Sequence, residues 1–173
     1  MTTYSKIETV TVGAAGVASI TFSNIPQTYT DLLIKTSWRQ NETSATSSNI
    51  NMQINGLGTN IYSVRRLLGS GTGVSGDTFT NLSSGPGGWA VGPAATASVF
   101  SNSELYIPNY ISSTNKTYSW DSVTENNAAA ARIGIAAGLI ASTAAITQVF
   151  LSTGFTILQY STATLYGIKS ASA

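Results

Sequence analysis

Two short stretches of this chain hold residue types whose spacing could do chemistry. The first, GTGVSG at residues 71–76, matches the G-x-G-x-x-G spacing with which dinucleotide-binding enzymes cradle a pyrophosphate. That chemistry needs a strand before the glycines and a helix after them, because the helix N-terminus supplies the amide donors and the positive dipole end that hold the phosphates. A strand does precede the match. The residues after it, DTFTNLSSGPGGWAVGPAA, carry repeated Gly and Pro and no apolar stripe, so no helix is expected. In a chain with 16 glycines the match reads as chance, and the segment as flexible surface loop.

The second stretch is SWDSVTENN, where Asp121 and Glu125 stand near Trp120. A glycosidase needs two carboxylates in unlike environments, one kept protonated by burial, and an aromatic ring can stack a sugar. Alternation along a strand turns Asp121 away from Trp120, however, and Glu125 falls in the following turn, so both carboxylates are expected to be solvated. With Asn126 and Asn127 they would offer a Ca²⁺ ion clustered oxygens, but without the ligand spacing of a defined loop. The sequence holds no histidine and no cysteine, which removes the commonest general base and every Ser-His, Cys-His, thiolate or disulfide arrangement. No catalytic, cofactor-binding or metal-ligating residue is assigned, and the expectation is a protein that is not an enzyme and has no cofactor.

Composition narrows the partners. Of the 173 residues 42% are hydrophobic and only 9% charged, against roughly 25% charged in an average soluble domain, and Ser, Thr, Asn and Gln supply the polarity. This profile fits a β-rich extracellular or virion protein. Net charge is +1 and the basic residues are scattered apart from Arg65 and Arg66, so no basic stripe faces a phosphate backbone and no nucleic-acid partner is expected. The small-residue run AAAARIGIAAGLIASTAAI at 128–146 is interrupted by Arg132 and gains little from lipid, so it reads as two strands and a turn, with no membrane partner. The opening MTTYSKIETVTV lacks the pattern of a signal peptide.

The elements that must position these residues are strands. Short alternating or continuous apolar segments recur between Gly, Asn, Ser and Pro clusters with no helical period, which predicts an all-β chain. Residues 7–12 and 17–23 read as a hairpin joined by GAAG. DLLIKTSWR sets Leu32, Ile34, Thr36 and Trp38 on one face, NINMQIN turns Ile50, Met52 and Ile54 inward, and KTYSWDSVT aligns Tyr118, Trp120 and Ser122. RIGIAAGLI and AITQVFLS read as a hairpin about Ser142 and Thr143, and STATLYGIK as the last strand. The sum is one antiparallel β-sandwich domain over residues 1–173, with about nine or ten strands in two facing sheets. Residues 69–98, rich in Gly, Ser, Thr, Ala and Pro, are expected to form one long loop.

An aromatic ring exposed on such a loop marks a partner contact. The candidate contact residues are therefore Trp89, Phe79 and Leu82, together with Arg65 and Arg66. Adjacent strand residues face opposite ways, so only one of the two arginines can join a given site, as an ion-pair residue.

The segments ITFSNIPQTYTDLLIKTSWR, INMQINGLGTNIYSVRRLLGSG, ELYIPNYISSTNKTYSWDSVTENN and QYSTATLYGIK resemble short virion proteins of tailed phages of aquatic and cyanobacterial hosts, over residues 7–168. The resemblance lies in strands and turns, not in a catalytic signature. It implies a jelly-roll-like β-sandwich made in the cytoplasm of the bacterial host and displayed on the virion surface, commonly as a homotrimer. The implied role is a capsid decoration protein that clamps the major capsid protein. The alternative is a tail-fibre or receptor-binding module that binds other virion proteins and a host glycan.

Overall fold

The computed structural model describes residues 3–125 and 131–169, and among them are twelve strands and no helix. Four long-range antiparallel pairs organise the chain. β1 (Thr3–Thr11) lies beside β12 (Thr162–Lys169), β2 (Val17–Phe22) beside β11 (Val149–Ile157), β3 (Asp31–Trp38) beside β8 (Ser101–Ile107), and β4 (Ser47–Ile54) beside β7 (Gly85–Val91). The pairs alternate between two sheets, β1-β12-β3-β8 in one and β2-β11-β4-β7 in the other. A long antiparallel ribbon rolled up in this order is a jelly roll.

Two further hairpins enlarge one sheet only. β9 (Lys116–Val123) and β10 (Arg132–Ile140) follow β8, and β5 (Tyr62–Ser70) with β6 (Gly73–Leu82) follow β10, so the larger sheet has eight strands in the order β1-β12-β3-β8-β9-β10-β5-β6. The smaller sheet keeps four. Period-2 alternation sends one set of side chains from each sheet into a common core: Leu32, Ile34 and Trp38 from β3, Leu105 and Ile107 from β8 and Leu165 from β12 on one side, and Ile50, Met52 and Ile54 from β4 with Leu151 from β11 on the other.

β10 inverts the usual distribution of size. Its inward positions are Gly134, Ala136, Gly138 and Ile140, all buried, while the larger Ile133, Ile135 and Leu139 point outward. The small residues make room for aromatic rings. A Cβ added at Gly134 would lie 2.4 Å from Trp89 Cη2, and one at Gly138 would lie 2.1 Å from Tyr118 Cε1.

Several expectations change. The described residues form twelve strands, and residues 69–98 are not one loop but include β6 and β7. GTGVSG is a hairpin corner: Ser70 faces Gly73 across a two-residue turn in which Gly71 has a φ of 57°, a left-handed geometry that glycine takes without a Cβ clash. β7 tolerates Pro86 because it is an edge strand. GAAG and the Ser142–Thr143 region are not hairpin loops either, since each carries the chain from the larger sheet to the smaller one. The run at 128–146 forms one strand, β10, followed by a non-strand segment, and residues 128–130 lie outside the described ones.

Candidate interaction surface

The larger sheet extends past the smaller one, and its outer face there is uncovered. Cross-strand register lays the residues out in rows. Val74, Gly69, Ile133 and Val123 form one row across β6, β5, β10 and β9; Gly76, Leu67, Ile135 and Asp121 form the next; Thr78, Arg65, Ala137 and Ser119 form a third. Leu139 follows beyond Ala137 on β10. Of the ten large apolar side chains that stand out from the described surface, Leu67, Val74, Ile133, Ile135 and Leu139 share this one face, Val74 being 83% exposed and Ile133 61%. An open depression of about 720 Å³ runs over Leu67, Ile135 and Ala137 between Arg65 and Asp121, and a second of about 550 Å³ adjoins it at Val74 and Ile133. A contiguous apolar patch of this kind marks a contact surface.

The outer face of the smaller sheet is different. There Thr21, Phe150 and Gln53 form one row, and Ser19, Ser152 and Asn51 another, a largely polar surface that water covers without penalty.

Charge lies at the margin of the apolar face. Lys35 Nζ and a Glu104 carboxylate oxygen are 2.9 Å apart, and Asp121 stands directly across from Glu104 on the neighbouring strand. The hydrogen bond and charge of Glu104 push the Lys35 ammonium above the usual lysine value. Partial burial, then the adjacent Glu104, push the Asp121 carboxyl above the usual carboxylate value, while Lys35 pulls the other way. The carboxylate beside Asp121 is thus Glu104, not Glu125. The suggested Ca²⁺ ligands Asn126 and Asn127 lie outside the described residues. Among the described residues no three acidic side chains gather at one point.

The candidate contact residues separate into two groups. Arg65 is exposed on the apolar face, where Nη1 donates to Thr78 Oγ1 at 3.0 Å. Arg66 points the other way. Its guanidinium donates twice to Asp77 Oδ2, at 2.6 and 3.1 Å, and lies 5.3 Å from the Phe79 ring centroid and 5.6 Å from that of Trp89. Trp89 is not an exposed loop residue. It is fully buried, edge-on to Trp120 with ring centroids 5.0 Å apart, and its backbone N–H donates to Ser122 Oγ. Leu82 is half-buried against the core, and Phe79 keeps 38% of its surface exposed as the cover over Arg66. These four residues therefore close the rim of the core, and Arg65 alone reaches the apolar face.

No protein-family model matches the chain, and no curated protein matches it.

The face is made by residues that composition does not single out: Leu67, Val74, Ile133, Ile135 and Leu139. Their signal is present in RIGIAAGLI, where the large residues alternate with small ones.

Proposed function

We propose that the chain is a non-enzymatic structural protein of a tailed bacteriophage virion, a capsid decoration protein that binds and stabilises the capsid surface. The observation that carries this reading is the uncovered apolar face of β5, β6, β9 and β10, on a jelly roll whose polar groups are mostly uncharged amides and hydroxyls. A surface of that kind is stable in water only as a cost, and an assembly partner, another virion protein or a second copy of the chain, removes the cost. The resemblance of the strand-and-turn segments to phage virion proteins supports the same role.

Particles made with and without the gene test it. Many copies of the protein on the capsid lattice, and loss of heat resistance in particles that lack it, are the expected outcomes. A handful of copies confined to the tail, with capsid stability unchanged, refutes the decoration role.

A second reading has an observation of its own. On the same sheet, Tyr4, Tyr166 and Leu33 surround the Lys35–Glu104 pair in a depression of about 340 Å³, with Tyr4 61% exposed. An aromatic ring beside charged hydrogen-bonding groups suits a sugar ring, which is the recognition expected of a tail-fibre or receptor-binding module. Binding of host polysaccharide by purified protein, abolished by Tyr4→Ala, supports this reading; binding unaffected by Tyr4→Ala removes it.

A further inference from the structure

The apolar face carries its charges in an arrangement that fits a copy of itself. Arg65 on β5 and Asp121 on β9 flank β10 from opposite sides and are offset by one row: Arg65 shares a row with Ala137, and Asp121 shares the next with Ile135. They occupy opposite corners of a patch whose centre, between Ile135 and Ala137, is apolar. Consider a twofold axis lying in the plane of the face, through that centre and perpendicular to the Arg65–Asp121 diagonal. It sets each Arg65 against Asp121 of the second copy and brings the Leu67 and Ile135 side chains of both copies together about the axis. With strands about 4.8 Å apart and same-face residues about 6.8 Å apart, the same operation carries Ile133 over Gly76 of the second copy, where no side chain stands in the way. An isologous contact needs this self-complementarity, and most faces lack it.

We propose that this face is where a second copy of the chain docks, as a twofold dimer. Four strands and the seven residues 133–139 cover about 450 Å² in flat projection before side-chain relief is counted, against roughly 800 Å² of accessible surface per partner in a standard interface. The whole face must therefore be engaged, and the twofold arrangement, in which the strands of the two copies cross, extends the contact from it onto the neighbouring β8. Of the exposed charges, Arg65 and Asp121 meet opposite sign, and no like pair is set together. The proposal rests on the reading of the chain as an assembly component. Its test is separate, because copy-to-copy contact is measured on purified protein and capsid attachment on particles.

The experiment is sedimentation equilibrium of the full chain over a dilution series, with circular dichroism of each variant to confirm the fold. The wild type is expected to approach twice the 18.0 kDa of one chain and to dissociate on dilution. Ile135→Glu, at an exposed position, is expected to weaken the dimer by at least about tenfold. Arg65→Asp and Asp121→Arg are each expected to weaken it. An equimolar mixture of those two variants is expected to form a heterodimer tighter than either homodimer, since both ion pairs are restored between unlike chains. A wild type that stays monomeric or forms a trimer, a dimer indifferent to Ile135→Glu, or a mixture no tighter than its components would each overturn the proposal.

Discussion

Lys116 opens β9 with its side chain buried, and its ammonium donates to the backbone carbonyls of Ser112 at 2.6 Å and of Thr114 and Ala144 at 2.8 Å, with Ser142 O at 3.4 Å. It ties the segment before β9 to the segment after β10. Burial pulls the ammonium below the ordinary lysine value, and the converging carbonyls work to keep it charged. Lys116→Met keeps the unbranched stem and its packing but removes every donor. Hydrogen bonds from a charged group contribute about 1.5–3 kcal/mol each, and a buried acceptor left unpaired costs about 1–3 kcal/mol. The carbonyls sit in loops that water can partly reach, and the lysine no longer has to be desolvated. The net loss is therefore nearer one strong bond and one orphaned acceptor, about 3 kcal/mol. For a chain of this length that corresponds to a fall in Tm of about 6–12 °C. Calorimetry at neutral pH reads it, and amide exchange should show faster opening at residues 111–115 and 141–146 than elsewhere. A fall in Tm below about 2 °C would refute the view that this ammonium holds the two segments together.

The packing of β10 and the charge row give two further expectations. Gly138→Ala puts a methyl 2.1 Å from the Tyr118 ring, whose hydroxyl is already confined by Gly85 on the opposite sheet, so destabilisation of about 3 kcal/mol is expected in a denaturant melt, against near-neutrality for the outward Ala137→Ser. Asp121 is protonated more readily in the folded chain than in the unfolded one, so its contribution to stability falls as pH rises from the unfolded value of 3.8 through the raised folded value. At dilutions where the chain is monomeric, so that no second copy's arginine faces the carboxylate, Asp121→Asn should therefore raise Tm at neutral pH and leave it unchanged in acid, where the carboxyl is neutral in the folded and the unfolded chain alike; an equal effect at both pH values would contradict the assigned cause.

Strands with strict alternation are legible in the sequence. Those of β3, β4 and β9 turn the expected residues inward, because half-burial on a pleated sheet is a local property that a run of eight residues can express. The connections are not legible. A Gly-rich turn serves a hairpin and a corner between sheets equally well, and what decides between them is a partner far away in the chain: Thr3 faces Lys169, and Val149 faces Phe22. For the same reason residues 69–98 read as unstructured. β6 is ordered by its pairing with β5, and β7 by its pairing with β4, although their own residues have weak strand propensity. The place of Trp89 is hidden in the sequence because burial depends on what lies opposite, and the opposing wall is β10, whose Gly134 leaves the space that the indole fills.

That wall also explains why the apolar face exists. The eight strands of the jelly roll cover one another, four against four, but the inserted β9, β10, β5 and β6 lengthen only the larger sheet. Of the smaller sheet only the edge strand β7, which carries Trp89, reaches under β9, β10 and β5, so the inner side of the extension has to be filled by the rings of Trp89, Trp120 and Tyr118 and closed by Arg66 beneath Phe79. Large rings inside require small residues on β10, and Gly134, Ala136 and Gly138 meet that requirement. Nothing inside the fold requires Ile133, Ile135 and Leu139 on the other side of the same strand. Threonine or serine there would give the same inner packing with less exposed apolar surface, as Ser19, Thr21 and Ser152 do on the outer face of the smaller sheet. The core accounts for the small residues of RIGIAAGLI, and only a partner outside the chain accounts for the large ones.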